Sequence, residues 1–343
     1  MHDDANKELR IINQKISELE QKREALIAKR DSLVQRISNQ QDDNPETPIA
    51  LSVNQKIEFF KKLFNGRQDV FATRWENATG RNGYSVACNN EWVKGVCNKP
   101  RIKCGECPNQ EYKALNDQVI FDHLAGKHIV GVYPLLADNT CHFLAADFDK
   151  EDWQGAVSTM TQACQQLNIP HVVEISRSGN GAHLWIFFSE PVLARDARLL
   201  GFGLLDKAME IHPDLSFDSY DRLFPNQDIM PDGGFGNLIA LPLQYQARQN
   251  GNSQFVSLDL VPYSDQWGFL NQIKTLSLKQ LSDSLSHLTP NCIVTDTLLP
   301  WEQGKKIKSG IIRNCPDKLT LVLANHIYFN LHEILNTWYT KIP

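Results

Sequence analysis

What this chain lacks narrows the field first. In 343 residues no run approaches the ~18 to 20 uninterrupted apolar residues of a membrane span, and the opening "MHDDANKELR" has no apolar centre of the kind a signal peptide needs. The reading is a protein with no membrane partner, and the cytoplasm is the expected location. There is no excess of basic charge: the formal net charge is −5, which argues against coating nucleic acid by bulk electrostatics and leaves open only a local groove. No internal repeat and no P-loop G-x-x-x-x-G-K-[ST] occur. Eight cysteines are too few and too unevenly spread for a secreted disulfide framework. Residues 5–38 lack both proline and glycine.

That last absence marks a helix. Leu9, Ile12, Ile16, Leu19, Leu26, Leu33 and Ile37 recur at steps of three and four or their multiples, as in a coiled-coil seam. One row keeps Ile12, Leu19, Leu26 and Leu33 while the other carries Arg23 and Arg30, so the seam fits a homo-oligomer or partner contact and equally a helix with one packed stripe. The polar stretch "SNQQDDNPETP" then reads as a linker. The expected organisation is an N-terminal helix over 1–40, a linker over 41–51, a catalytic domain over 52–270 and a C-terminal extension over 271–343.

Within the body, β-formers cluster in "HFLAADFD", "HVVEISR", "AHLWIFF", "NLIALPLQ" and "QFVSLDL". Helical patterns lie in "WQGAVSTMTQACQQLN" and "LARDARLLGFGLLDKAMEIH", giving strand, helix, hairpin, helix, strands: an α/β or α+β body.

Four cysteines crowd into "CNNEWVKGVCNKPRIKCGEC" as C-x8-C-x6-C-x2-C. Cys88, Cys97, Cys104 and Cys107 fit a closed, structural tetrahedral zinc site in a segment that Gly95, Pro100, Gly105 and Pro108 leave with little core of its own. Lys94, Lys99, Arg101 and Lys103 beside Trp92 could touch a phosphate backbone, although exposed lysines need no such purpose.

Asp147 and Asp149 end an apolar run and alternate with Phe148, so they share one face of a strand. Two carboxylates so placed repel unless a cation lies between them, and Mg²⁺ or Mn²⁺ is the natural partner. Acidic pairs also end strands or cap helices, so the pair alone decides nothing. Downstream, "SRSGNGAHLW" places Arg177, Ser178, Gly179, Asn180 and Gly181 before His183, a small-residue loop able to approach phosphate oxygens. A third acid would complete a two-metal site, and Asp218, Asp221, Asp228 and Asp259 are the candidates.

Taken together, "DFD", "SRSGNGAHLW" and "YDRLFPNQD…GGFGNLIALPLQ" resemble the archaeo-eukaryotic primase superfamily, in particular the primase–polymerase domain of TOTE conflict systems, beside CRISPR-associated and other mobile-element primase–polymerases. The resemblance covers roughly residues 55–270. It implies a catalytic core with an RRM-like sheet and a second α/β unit, the metal site lying between them. It implies Asp147 and Asp149 as ligands of catalytic Mg²⁺ or Mn²⁺, His183 on the nucleotide's phosphates, and a third acid for which Asp221 sits best. The family's second motif is s-x-H, whose serine position is Gly181 here, as in related polymerase domains of bacterial repair ligases that use an upstream serine like Ser178. The implied function is a DNA primase–polymerase working on single-stranded DNA template, primer and nucleoside triphosphates, often beside a helicase. The alternatives are a silent nucleic-acid-binding module of a defence or mobile-element system, and a two-metal nuclease.

Overall fold

A computed structural model describes residues 12, 14–19, 21–22, 29, 51–213, 219–231 and 233–288. The chain divides into two units, Met1–Ala50 and Leu51–Pro343. In the first, the described residues are helical, and Ile12, Ile16 and Leu19 are exposed. The remainder of the expected seam, Asp218, and the chain beyond Leu288 lie outside the described residues.

The second unit carries a five-stranded antiparallel sheet built from β4 (Thr140–Asp149), β5 (Val172–Ile175), β6 (Gly181–Leu193), β7 (Tyr220–Phe224) and β9 (Phe255–Val256), in the order β7-β4-β6-β5-β9. Helix α3 (Trp153–Gln166) joins β4 to β5, and α4 (Ala194–Ile211) joins β6 to β7. The run β4-α3-β5-β6-α4-β7 is therefore a split βαβ unit with its first and third strands central. This is the RRM-like sheet that the motifs imply, in an α+β fold.

Alternation fixes the two faces of this sheet. Leu144, Ala146 and Phe148 of β4, with Leu184 and Ile186 of β6, pack under Met160 of α3 and Leu200 and Leu204 of α4. Leu281, from α7 (Leu278–His287), closes the same core, so the body continues past residue 270. The opposite face presents Phe143, Ala145, Trp185, Phe187 and Phe255. They pack against Phe60 and Phe64 at the end of α1 (Val53–Leu63), and against Ile120 of α2 (Asp117–Leu124). The same core takes in a four-stranded antiparallel sheet of β2 (Asn82–Val86), β1 (Ala72–Glu76), β3 (Val130–Val132) and β8 (Ile239–Ala240), in that order.

Two expected strands are shorter than the β-former runs suggest. "NLIALPLQ" contributes only Ile239–Ala240, because Pro242 has no N–H to continue a ladder, and it joins the four-stranded sheet. "QFVSLDL" contributes only Phe255–Val256 before a turn in which Leu260 has φ +59°. The short helices α5 (Tyr245–Gln249) and α6 (Gln266–Asn271) flank it.

Candidate active site

On the face shared with the four-stranded sheet, β4 is apolar through Phe143 and Ala145 and then turns acidic at Asp147 and Asp149. Both carboxylates belong to the strand itself. The following helix starts after Asp152, which makes no capping hydrogen bond. Register then builds a row across four strands: Glu174 of β5 faces His183 of β6, His183 faces Asp147 of β4, and Asp147 faces Arg222 of β7. Charge alternates along that row, which is how directly opposed strand positions stabilise one another.

The contacts follow the register. His183 Nδ1 lies 2.7 Å from Glu174 Oε2, and His183 Nε2 lies 3.4 Å from Asp147 Oδ1. Burial alone would lower the His183 pKa, but the Glu174 carboxylate, aided by Asp147, raises it to about 9, so the ring is an imidazolium at neutral pH. Arg222 Nε donates to Asp221 at 2.6 Å.

Asp221 reaches the site through an irregularity. Asp147 pairs with Arg222 but Phe148 pairs with Tyr220, so Asp221 is the extra residue of a bulge. Bulges re-aim side chains, and this one brings Asp221 close enough to act electrostatically on Asp147. Burial is the main force pushing the Asp147 pKa up; His183 opposes it, and the nearby Asp221 and Asp149 add to it. Asp149 Oδ1 is itself buried without a hydrogen-bond partner, with Lys150 Nζ at 3.6 Å. Three mutually repelling carboxylates with an orphaned oxygen fit a divalent cation. Among the described residues, however, no three His, Cys, Asp or Glu side chains are already grouped so as to hold one.

The other acids considered lie elsewhere. Asp228 pairs with the buried Arg198 of α4, and Asp259 is exposed in the turn beyond β9, at the far edge of the sheet from β7.

The loop before His183 is tight. Gly179 N–H donates to Ser176 O at 3.0 Å and Asn180 N–H to Ser178 Oγ at 3.2 Å, while Asn252 Nδ2 holds the Arg177 carbonyl at 3.2 Å. Those two amides are thus already engaged, and Ser178 Oγ also meets Ser176 Oγ at 3.0 Å. Tyr84 of β2, whose hydroxyl burial makes harder to ionise, lies near enough to feel the Arg177 guanidinium, so the four-stranded sheet comes close to the loop. Gly181 faces Asp149, and a Cβ there would run into the Phe148 carbonyl oxygen. The glycine in place of the motif's serine is therefore what allows β6 to lie this close to β4. Glu174 and Tyr84 were not marked by the motifs, and Arg222 stood within "YDRLFPNQD" without an assigned role. A lone acid at an inward-facing position of "HVVEISR" was the available signal for Glu174.

The cysteine segment has a different construction. Cys88, Cys97, Cys104 and Cys107 are free thiols, each half-buried, and line one cavity of about 20 Å³ with Ile102 and Tyr112. That volume suits one water-sized occupant. Glu111 N–H donates to Cys88 Sγ at 3.5 Å, and Cys104–Glu106 forms a single 3₁₀ turn. Trp92 is 67% exposed at φ +61°, with Lys99 Nζ 5.8 Å from its ring centre and 2.8 Å from Glu91.

No curated protein matches the chain. Among solved structures it is similar to the polymerase domain of ligase D from Mycobacterium tuberculosis in complex with DNA, at 13% identity and a TM-score of 0.36, over 69% of this chain and 88% of that one. Residues 55–284 match the family described as "TOTE conflict system, Archaeo-Eukaryotic Primase domain". That stretch is more than half of the chain and holds every residue of the site above, so the protein belongs to this primase family, whose class of chemistry is nucleotidyl transfer.

Proposed function

We propose that the protein is a template-directed primase–polymerase that adds nucleotides from nucleoside triphosphates to a primer 3′-OH or an initiating nucleotide on single-stranded DNA. The observation that carries the reading is the row Glu174–His183–Asp147–Arg222, with Asp149 and Asp221 beside it. It sets an acidic cluster against a protonated imidazole at one end of a sheet face.

Asp147, Asp149 and Asp221 would hold the divalent ions, Mg²⁺ or Mn²⁺, which would supply stabilisation of the negative charge on the attacking and leaving oxygens. His183 offers Nε2–H to a phosphate oxygen, a charge-assisted bond, and the Arg177 guanidinium adds a second positive group from the Ser178–Gly181 loop. The 3′-oxygen forms its bond to the α-phosphorus as the α–β bridging bond breaks, and diphosphate leaves. Holding those atoms in line is the sheet's contribution, since it fixes His183 and the acids on adjacent strands. Cys88, Cys97, Cys104 and Cys107 would hold a structural Zn²⁺, for which the shared cavity and the free thiols are the support. A helicase acting with this domain would be a separate polypeptide or a further domain, and the Ile12–Leu19 stripe is the proposed self-association surface.

The test is primer synthesis and extension on single-stranded template with NTPs or dNTPs under Mg²⁺ or Mn²⁺. Products should lengthen, and Asp147→Ala with Asp149→Ala should abolish the lengthening. Products that shorten without nucleotides would instead make the site a nuclease, and nucleotide binding without synthesis would make it a silent binding module.

A further inference from the structure

Glu174 is 1% exposed on an inner strand, where its neighbours in sequence are Val172, Val173 and Ile175. A carboxylate in such a place costs stability unless its oxygens are bonded. Here they are: Oε2 takes His183 Nδ1 at 2.7 Å and Trp185 Nε1 at 3.3 Å, and Oε1 takes Ser253 Oγ at 3.4 Å. Trp185 is itself fixed, fully buried, stacked on Phe187 and edge-on to Phe64. The aromatic core therefore holds Trp185, Trp185 helps hold Glu174, and Glu174 holds His183.

A buried ion pair is weak evidence for stability, because well-packed apolar residues of the same volume often do as well. A valine at 174 would continue the strand's own pattern. It would leave His183 Nδ1 without a partner and the ring free to turn. With Nδ1 engaged, only Nε2 remains for the cleft, and it points to the Asp147 side.

We propose that Glu174 is a positioning residue for nucleotidyl transfer: its carboxylate grips Nδ1 of His183 and so aims Nε2 at the bound triphosphate beside Asp147. This rests on the functional reading above and names the residue through which His183 is prepared. Glu174 acts through His183 and touches neither substrate nor ion.

The experiment is a double-mutant cycle in single-nucleotide extension with the full chain, comparing wild type, Glu174→Ala, His183→Ala and the double variant. Glu174→Ala should raise the nucleotide KM by about 10- to 100-fold with a smaller change in kcat, the size seen when the partner that orients a functional histidine is lost. In the His183→Ala background the same substitution should cost less than about threefold, because its effect passes through that ring. Glu174→Gln can place its carbonyl oxygen where Oε2 sits and its amide toward Ser253, so it keeps the aim with a weaker, uncharged acceptor. It should lose about fivefold, and it replaces the alanine in the cycle if circular dichroism shows that Glu174→Ala does not fold. Losses that multiply with that of His183→Ala, an effect confined to the primer–template KM, or wild-type kinetics in both Glu174 variants would overturn the proposal while leaving the site assignment standing. Wild-type extension by the Asp147→Ala, Asp149→Ala double variant would instead remove the site assignment, and this proposal with it.

Discussion

Asp147, Asp149 and His183 sit on long, paired, central strands, whereas Cys88, Cys97, Cys104 and Cys107 sit on turns with one 3₁₀ turn among them. On the sheet, ladder hydrogen bonds and two cores fix side-chain positions whatever the carboxylates feel, so repulsion among Asp147, Asp149 and Asp221 is retained in the fold. In the cysteine segment the thiols are held by turns and by hydrogen bonds such as Asn109 Nδ2 to the Val96 carbonyl and Tyr112 Oη to the Cys104 carbonyl, with a single bridge from Cys88 to Tyr112 in place of a ladder. A site on a rigid sheet can carry strain toward its ligand, while a site on turns depends more on its ligand for its geometry.

The largest test of that contrast is to empty the acidic cluster. Asp147→Ala with Asp149→Ala should lower extension by about a thousandfold or more if the proposed ion-holding set is right, since both carboxylates belong to it. The same variant should unfold at an equal or higher temperature than the metal-free wild type, because a raised carboxyl pKa marks a charge the fold disfavours. A clear drop in melting temperature would show that these acids support the fold. The reverse is expected of Cys104→Ser with Cys107→Ser. That variant should bind less than one equivalent of zinc in a colorimetric assay and be cleaved within residues 88–112 about tenfold faster by trypsin, as loss of a structural metal frees the segment.

How much of this was legible follows the same division. Asp147, Asp149 and His183 could be placed from sequence because period-two alternation and a glycine-rich turn are local signals. The clustering of the four cysteines was equally visible, and the structure puts all four around one cavity. The strand Tyr220–Phe224 was not legible, since its short, charged "YDRLF" looks like a loop and its bulge breaks alternation. Glu174 was hidden for a non-local reason: its meaning lies in its neighbours across β6 and from Ser253, seventy-nine residues away in the chain. Gly181 looked like a mild departure from a motif, and only the distance between β4 and β6 shows it to be sterically required.

The next effect is pH-dependent. The folded-state pKa of His183 is about 9, above the ordinary 6.5, so folding is favoured by the protonated ring. That contribution is fully present below about pH 6.5 and is lost as pH rises towards 9, amounting to on the order of 3 kcal/mol. Urea unfolding of the metal-free protein between pH 6 and 10 should show it as a difference between wild type and His183→Ala that shrinks over this window. A difference constant with pH would mean the Glu174–His183 pair is not charged in the fold.

The smallest test puts the same steric insult into both regions. A Cβ at Gly181 meets the Phe148 carbonyl oxygen, and a Cβ at Gly105, between Cys104 and Cys107, meets the Gly233 carbonyl oxygen. In the sheet neither strand can yield without shifting the β4 register that carries Asp147 and Asp149, so Gly181→Ala should cost about 2 kcal/mol and lower kcat as well as stability. Gly105 packs between two turns that no ladder restrains, and Gly105→Ala should cost below about 1 kcal/mol with kcat unchanged. Chemical denaturation and single-turnover extension of the two variants measure both numbers. Equal costs would mean that the turn region is as rigid as the sheet, and that the cysteine cavity is set by the fold before any ion arrives.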